Sequence, residues 1–194
     1  MQGLTPTRRI GNMDLRNQLL IAMPSLDDPW FAQSVTYIFE HTDEGASGIV
    51  LSDRIDMSLD QVLEQLSLPI PPHTEQWPVM RGGPVEAERG FVLHQGTAHY
   101  DASAAISDEI ALTTSRDLLE EVSVGKGPEK MLLALGRAGW GGGQLEQEIL
   151  DNSWLTAPVD LGIVFDLPHD KRWHAAVELL GIDPAQLSSQ AGHA

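Results

Sequence analysis

The sequence contains no cysteine, which removes disulfides, thiolate metal sites and thiol nucleophiles from consideration at once. Basic residues are scarce: 12 lysines and arginines face 28 aspartates and glutamates, a net charge of −16. A nucleic-acid-binding domain carries a basic stripe that displaces phosphate counterions, and here the only adjacent basic pairs, Arg8-Arg9 and Lys171-Arg172, stand far apart. Direct nucleic-acid binding is therefore disfavoured, and the acidic balance also opposes docking on anionic lipid. No apolar run approaches the ~20 residues that span a bilayer. Leu19 to Met23 is too short, and lies too far inside, to act as a secretory segment behind Arg8-Arg9. A cytoplasmic protein without a membrane partner is expected.

Catalytic and metal signatures are missing as well. No Gly-x-Ser-x-Gly elbow occurs. Ser25, with Asp27 and Asp28 close by, reads as turn chemistry rather than an activated nucleophile. The histidine pairs His94/His99 and His169/His174 are five apart, not the four that put two ligands on one helical face. His41-Thr-Asp43-Glu44 offers three ligand types, but that is ordinary loop composition. No metal and no cofactor are expected.

What is present is a chain of 194 residues, long enough to bury roughly 70% of its unfolded surface without staples. Residues 1–13 read as a flexible leader, with Met13 an alternative start. Residues 14–194 read as one domain with room for a small sub-lobe. Gln18 to Ala22 is a short apolar run expected of a buried strand, and Val35 to Glu40 and Ser47 to Leu51 form a hairpin about a turn at 42–46. Ser58-Leu-Asp-Gln61 is a capping box, followed by Leu59, Val62, Leu63 and Leu66 on one helical face. Four prolines make a loop of 68–78. Val79 to Arg81, Gly90 to His94 and Glu109 to Thr114 read as strands, with an irregular stretch over 95–108. Thr114 to Asp117 caps another helix, which Gly125 ends. Met131 to Leu135 reads as a strand entering a glycine corner, a helix follows from about Gly143 to Asp151, and Trp154-Leu155 and Leu161 to Phe165 read as strands. The last helix carries Trp173, Ala176, Val177 and Leu180 and stops at Gly181. Strands and helices do not alternate regularly, so the fold class is α+β: a mixed, strongly coiled sheet, or sheets, flanked by three or four helices.

Two glycine-rich places organise this pattern, Gly82-Gly83-Pro84 and the stretch from Gly136 through Gly139, Trp140, Gly141 and Gly143. Five glycines in eight residues are too many for the interior of a strand or helix, so the second place must turn or approach something closely, a ligand or another strand. It fits neither the dinucleotide fingerprint nor the phosphate loop. Glu146 and Glu148 in the first turns of the next helix would repel phosphate and instead complement the helix dipole, so a structural turn takes precedence over an anion site. Arg89 and His94 flank the strand leaving the first corner; His94 shares its face with Val92, as a satisfied half-buried histidine would. Trp140 could stack on a ligand, though filling the core is the commoner use.

Taken in order, Leu19-Leu-Ile-Ala-Met-Pro24, Asp28-Pro29, Phe31, Ser34-Val35, Glu40-His41, Glu44-Gly-Ala46, Gly82-Gly-Pro-Val85 and Arg89-Gly-Phe-Val-Leu-His94 resemble the YqgE/AlgH family of bacterial proteins. So do Thr114-Ser115, Asp117, Ala138-Gly-Trp-Gly141, Gly143-Gln-Leu-Glu146, Asn152, Trp154-Leu155 and Ala191-Gly-His-Ala194. The resemblance runs from about residue 14 to the C-terminus. It implies a compact α+β fold with coiled sheets and a cytosolic protein carrying a transcriptional-regulator label, through a proposed role in alginate control, without an established catalytic mechanism or cofactor. Two departures stand out: Ser52-Asp53-Arg54 where relatives often read Asn-Arg-Pro, and Arg137 where tyrosine is common.

The candidate ligand-binding or family-motif residues are thus Gly82, Gly83, Pro84, Arg89, His94, Gly139, Trp140, Gly141 and Glu146. The first functional expectation is a regulatory protein acting through a small molecule or protein partner rather than by direct DNA binding, with enzymatic activity left open. The alternative is a hydrolase-type enzyme using histidine and carboxylate groups near the glycine corners, for which His94, Glu146 and His41 would have to meet in one cleft.

Overall fold

The computed structural model describes residues 13–190, with side chains as far as residue 187. The leader expected over residues 1–13, apart from Met13, and the Ala191–Ala194 motif lie outside the described residues. The chain begins with β1 (Gln18–Ala22), β2 (Val35–Thr42), β3 (Gly45–Val50) and β4 (Arg54–Ser58), followed by α1 (Leu59–Gln65). Then come β5 (Pro78–Arg81), β6 (Val85–Gln95), β7 (Ser103–Ala105), β8 (Ile110–Thr113) and α2 (Asp117–Ser123). β9 (Met131–Gly141), α3 (Gln144–Leu150), β10 (Trp154–Pro158), α4 (Arg172–Leu179) and α5 (Pro184–Gln190) complete it. The strands form one strongly curled sheet in the order β10-β1-β2-β3-β9-β6-β8-β7, with β4 on β5 and β5 on β9. All pairs are antiparallel except β5 with β9, so the sheet is mixed and the class is α+β.

Continuous apolar runs arise where a strand is covered on both faces. Leu19 and Ile21 of β1 point into a core closed by Trp173, Ala176 and Val177 of α4 and by Leu187 of α5. Leu20 and Ala22, the alternate residues, point into a second core with Trp140, Leu145 and Trp154 on the α3 side. A third core packs α1 and α2, through Leu59, Leu63, Leu118, Leu119 and Val122, on Val79, Val92 and Leu133. Each fully buried leucine contributes about 1.5–3 kcal/mol. The capping box at the start of α1 forms as expected: the Ser58 side chain accepts from the helix, and its backbone N–H donates to Gln61 Oε1 at 3.0 Å.

The glycine corner after Leu135 is a correction. β9 runs as one strand through Gly136, Gly139 and Gly141. Its first half pairs with β5 and β6, and its second half leaves β5 to pair with β3, Ala138 opposite Gly48 and Trp140 opposite Ala46. The changeover requires two backbones to cross within reach of a Cβ. A Cβ on Gly82 would lie 2.2 Å from the Gly136 carbonyl oxygen, one on Gly83 2.1 Å from the Arg137 carbonyl carbon, and one on Gly136 2.3 Å from the Gly83 carbonyl oxygen. Strand propensity is overridden by this packing. Gly82 also stitches the crossing, its N–H donating to Leu135 O and its carbonyl accepting from Val50 N–H, both at 2.9 Å.

Other differences have local causes. Leu161 to Phe165 is not a strand; Gly162–Asp166 is a π-helical turn, started by Asp160, whose carboxylate accepts from Ile163 N–H at 3.0 Å. β4 and β7 occupy stretches without an apolar run, and α5 follows the helix expected to be last.

Substituting Gly136→Ala or Gly83→Ala is expected to cost more than about 3 kcal/mol, or to prevent folding, through overlap at the crossing. Gly143→Ala shares the φ of +77° seen at Gly136, but its Cβ would meet nothing within 4 Å. It should cost only about 1 kcal/mol. Urea unfolding of the three variants makes the comparison, and equal costs at Gly136 and Gly143 would mean that the crossing is sterically loose.

Candidate functional site

Gly82 and Gly83 are buried under Gly136 and Arg137, with Pro84 exposed beside them. The two glycine-rich places therefore meet, but on each other. Around their outer side Glu86, in the left-handed region at φ +50°, holds two arginines: Arg137 Nε donates to Oε2 at 2.9 Å and Arg89 Nη1 to Oε1 at 3.0 Å. Arg137, first, and Arg89 hold the exposed Glu86 carboxyl below its ordinary range. Arg137 also donates to Ser47 Oγ at 2.9 Å and Arg89 to Thr114 Oγ1 at 3.3 Å. Gly139 and Trp140 line a shallow hollow of about 330 Å³ next to Arg137.

Trp140 faces inward, packed with Phe31 and Trp154 at centroid distances of 5.9 and 6.1 Å. Its indole N–H and that of Trp154 both donate to Glu148 Oε2, at 3.0 and 2.8 Å. One α3 carboxylate thus satisfies two buried donors. Glu146, on the same helix, meets His41 Nε2 at 2.6 Å, while His41 Nδ1 accepts from Leu15 N–H at 3.0 Å. Because Nδ1 accepts, the proton of this ring sits on Nε2 and points at Glu146. The contact ties the segment before β1 to β2 and α3.

His94 lies elsewhere. It pairs with Met131 at the start of β9, whereas His41 pairs through Ala46 with Trp140 near its end. That is up to about 30 Å of strand. The triad required for the hydrolase reading is not assembled. His94 is 1% exposed; Nδ1 donates to Gln95 O at 3.1 Å, leaving Nε2 to accept from Thr113 Oγ1 at 2.8 Å.

A cleft of about 590 Å³ is lined by none of the nine sequence candidates. It opens where β5 and the start of β9 meet the π-helical turn and α4. Leu59, Met80 and Leu133 supply apolar wall, Trp77 and Phe165 aromatic surface, and Arg172 a charge. Arg172 is 6% exposed, yet none of the ion pairs among the described residues includes it. Nη1 donates to Leu51 O at 2.6 Å and touches Met80 Sδ at 3.6 Å, while Nε has no hydrogen-bonding partner among the described residues. Burial pushes its pKa down to about 10, so it stays protonated at neutral pH. Sequence reading noted Arg172 only as half of a basic pair. The available signal was its phase: Arg172 stands four and eight residues before Ala176 and Leu180, on the face that α4 buries.

The model of the AlgH-like family, DUF179, matches residues 19–185. The chain belongs to the AlgH-like family. Among its relatives, a UPF0301 protein of Thioalkalivibrio sulfidiphilus is 51% identical, with 92% of this chain and 96% of the relative covered. One from Chromobacterium violaceum is 48% identical over 94% and 99% of the two chains. The solution structure of the AlgH protein from Pseudomonas aeruginosa is similar over the whole of both chains, with a TM-score of 0.76 and 45% identity. A crystal structure from Corynebacterium diphtheriae, 22% identical over 93% of each chain, shares the fold at a TM-score of 0.72. Among the described residues of this AlgH-like chain, no helix is long and apolar enough to cross a membrane and no group of potential metal ligands assembles.

Burial holds the pKa of His94 below its usual 6.5. Folding therefore favours the neutral ring: the contribution to stability is complete above about pH 6.5 and is lost as pH falls through the folded pKa. NMR titration of the His94 ring should give a midpoint below 6.5, and His94→Gln should flatten the loss of stability on acidification. A midpoint at or above 6.5 would contradict the buried, Nδ1-protonated assignment.

Proposed function

We propose that this AlgH-like chain is a cytosolic regulatory protein that binds a small ligand in the cleft beside Arg172 and acts on a protein partner, without catalysis and without reading DNA directly. One observation carries the reading: the 590 Å³ cleft is lined by a buried guanidinium with no carboxylate partner among the described residues. A charge removed from water without a counter-charge costs several kcal/mol, and a bound ligand offsets that cost. The volume lies within the ~300–1,000 Å³ of ordinary ligand sites, and apolar walls with a few polar groups are their usual composition. The lining includes no hydroxyl or thiol nucleophile, and Lys130 and Asp166 are engaged with each other. That supports binding over hydrolysis. A net charge of −16 supports control of transcription through a partner over contact with promoter DNA.

A thermal-shift screen against nucleotides and metabolites is the direct test. A ligand at ~100 times its dissociation constant adds about 2.7 kcal/mol, or roughly 5–10 °C for a chain of this size. Hits are expected to change the emission of exposed Trp77, which lines the cleft, and that change should vanish in Trp77→Phe. A flat screen, or a response that survives Trp77→Phe, would count against the cleft. Binding to promoter DNA at physiological salt with a steep salt dependence would overturn the partner-mediated mode.

A further inference from the structure

The cleft has a definite charge pattern. Arg54, Lys130 and Arg172 line it against two carboxylates, Glu129 and Asp166, so it carries a local positive excess in a protein of net charge −16. Lys130 is neutralised by Asp166. Arg54 is exposed and, among the described residues, its Nε reaches the Ile55 carbonyl at 3.5 Å. Arg172 differs from both, because it is held in place. The Leu51 carbonyl and Met80 sulfur fix one edge of its planar fork, and α4 supplies it from a buried helical face. The unpartnered Nε leaves a donor free on a group that is nine-tenths buried. A guanidinium presents its donors in a flat fork that matches two oxygens of a carboxylate or phosphate. Trp77 and Phe165 add aromatic surface and Met80 and Leu133 apolar wall, none of which a bare inorganic ion would use.

We infer that Arg172 is the anchor for the acidic group of the ligand, and that the ligand is a small organic anion: a carboxylate or phosphate monoester on a planar or apolar body. This rests on the reading of the cleft as a ligand site and names its chemistry. The guanidinium takes the acid, the apolar wall takes the body, and a neutral molecule of the same shape leaves the buried charge uncompensated.

Four probes separate these contributions on the full-length chain: phenyl phosphate, benzoate, benzyl alcohol and inorganic phosphate, each titrated to roughly millimolar concentration. Binding is read from Trp77 fluorescence and from the Nε–H resonance of Arg172 in ¹⁵N-labelled wild-type protein. Phenyl phosphate or benzoate is expected to move both signals, and whichever binds tighter identifies the acid. Benzyl alcohol and inorganic phosphate should bind at least about 10-fold more weakly. Arg172→Met should reduce affinity for the anion by roughly 10- to 100-fold, and Arg172→Lys, which keeps charge but loses the fork, by an intermediate factor. Equal binding of benzyl alcohol and the anions, or a still Arg172 Nε–H resonance while Trp77 responds, would overturn the anchor and leave the cleft reading intact. Silence of all four probes in both signals would overturn the two together. The resonance is measured on wild-type protein, so the test holds if Arg172→Met does not fold.

Discussion

Two backbones occupy, at Gly83 and Gly136, space that a single side chain would fill. The rest of the sheet depends on that crossing. It lets β9 serve two neighbours on one edge, β5 along its first half and β3 along its second, while β6 stays on the other edge. The hydrogen bonds through Gly82 then join the ends of β3 and β5 to the middle of β9. β3 carries β2 and β1 with it, so both cores on that half of the sheet are positioned by the crossing. The Glu86–Arg137–Arg89 cluster forms around its outer side, where a left-handed residue in β6 aims a carboxylate back at β9.

The placement of Arg172 follows from the same arrangement. Leu51, just past β3, presents a carbonyl that accepts from the Arg172 guanidinium at the start of α4. An arginine there can satisfy the carbonyl only by burying its guanidinium. With 28 acidic residues in the chain, a carboxylate partner would have been easy to supply, yet the acids lie elsewhere. Those near the cleft are occupied or exposed, Asp166 by Lys130 and Glu129 toward solvent. The local cationic excess therefore exists inside a field that repels anions at long range. Screening limits that repulsion to within about 8 Å of the surface at physiological salt.

Much of the fold was legible because local chemistry and tertiary role agreed. Ser58 and Gln61 announce α1 and Gly125 closes α2, while the proline-rich 68–78 is a loop only in part, with a 3₁₀ turn at Thr74–Gln76 and Pro78 opening β5. The failures mark places where they disagreed. Gly136, Gly139 and Gly141 oppose a strand by propensity; the arrival of Gly82 and Gly83 from a distant part of the chain makes Gly136 necessary, whereas a Cβ at Gly139 or Gly141 would meet only ordinary contacts. Leu161 to Phe165 has the composition of a strand, and period alone could not distinguish it from a helical turn started by Asp160. β4 had a faint signal, Ile55 and Met57 alternating with polar neighbours. For the site, single residues were read for chemistry while their phase was overlooked. His41 and Glu146 are grouped with His94 in the hydrolase alternative, and of the three only His41 and Glu146 touch. Arg172 was hidden in a basic pair although its helix places it on the buried face.

The outermost pairing on one side has a consequence for how the molecule is made. Gln18 pairs with Pro158, so β1 waits for β10 until most of the described chain has been synthesised. At ~5–20 residues per second, that is on the order of ten seconds on the ribosome. Until then an apolar strand, Leu19 to Ala22, has one edge unpaired, and the indole of Trp154 has not reached Glu148. An unpaired apolar edge templates pairing with other chains. The newborn polypeptide therefore exposes an aggregation-prone edge at β1 for most of its synthesis, although the finished sheet covers it.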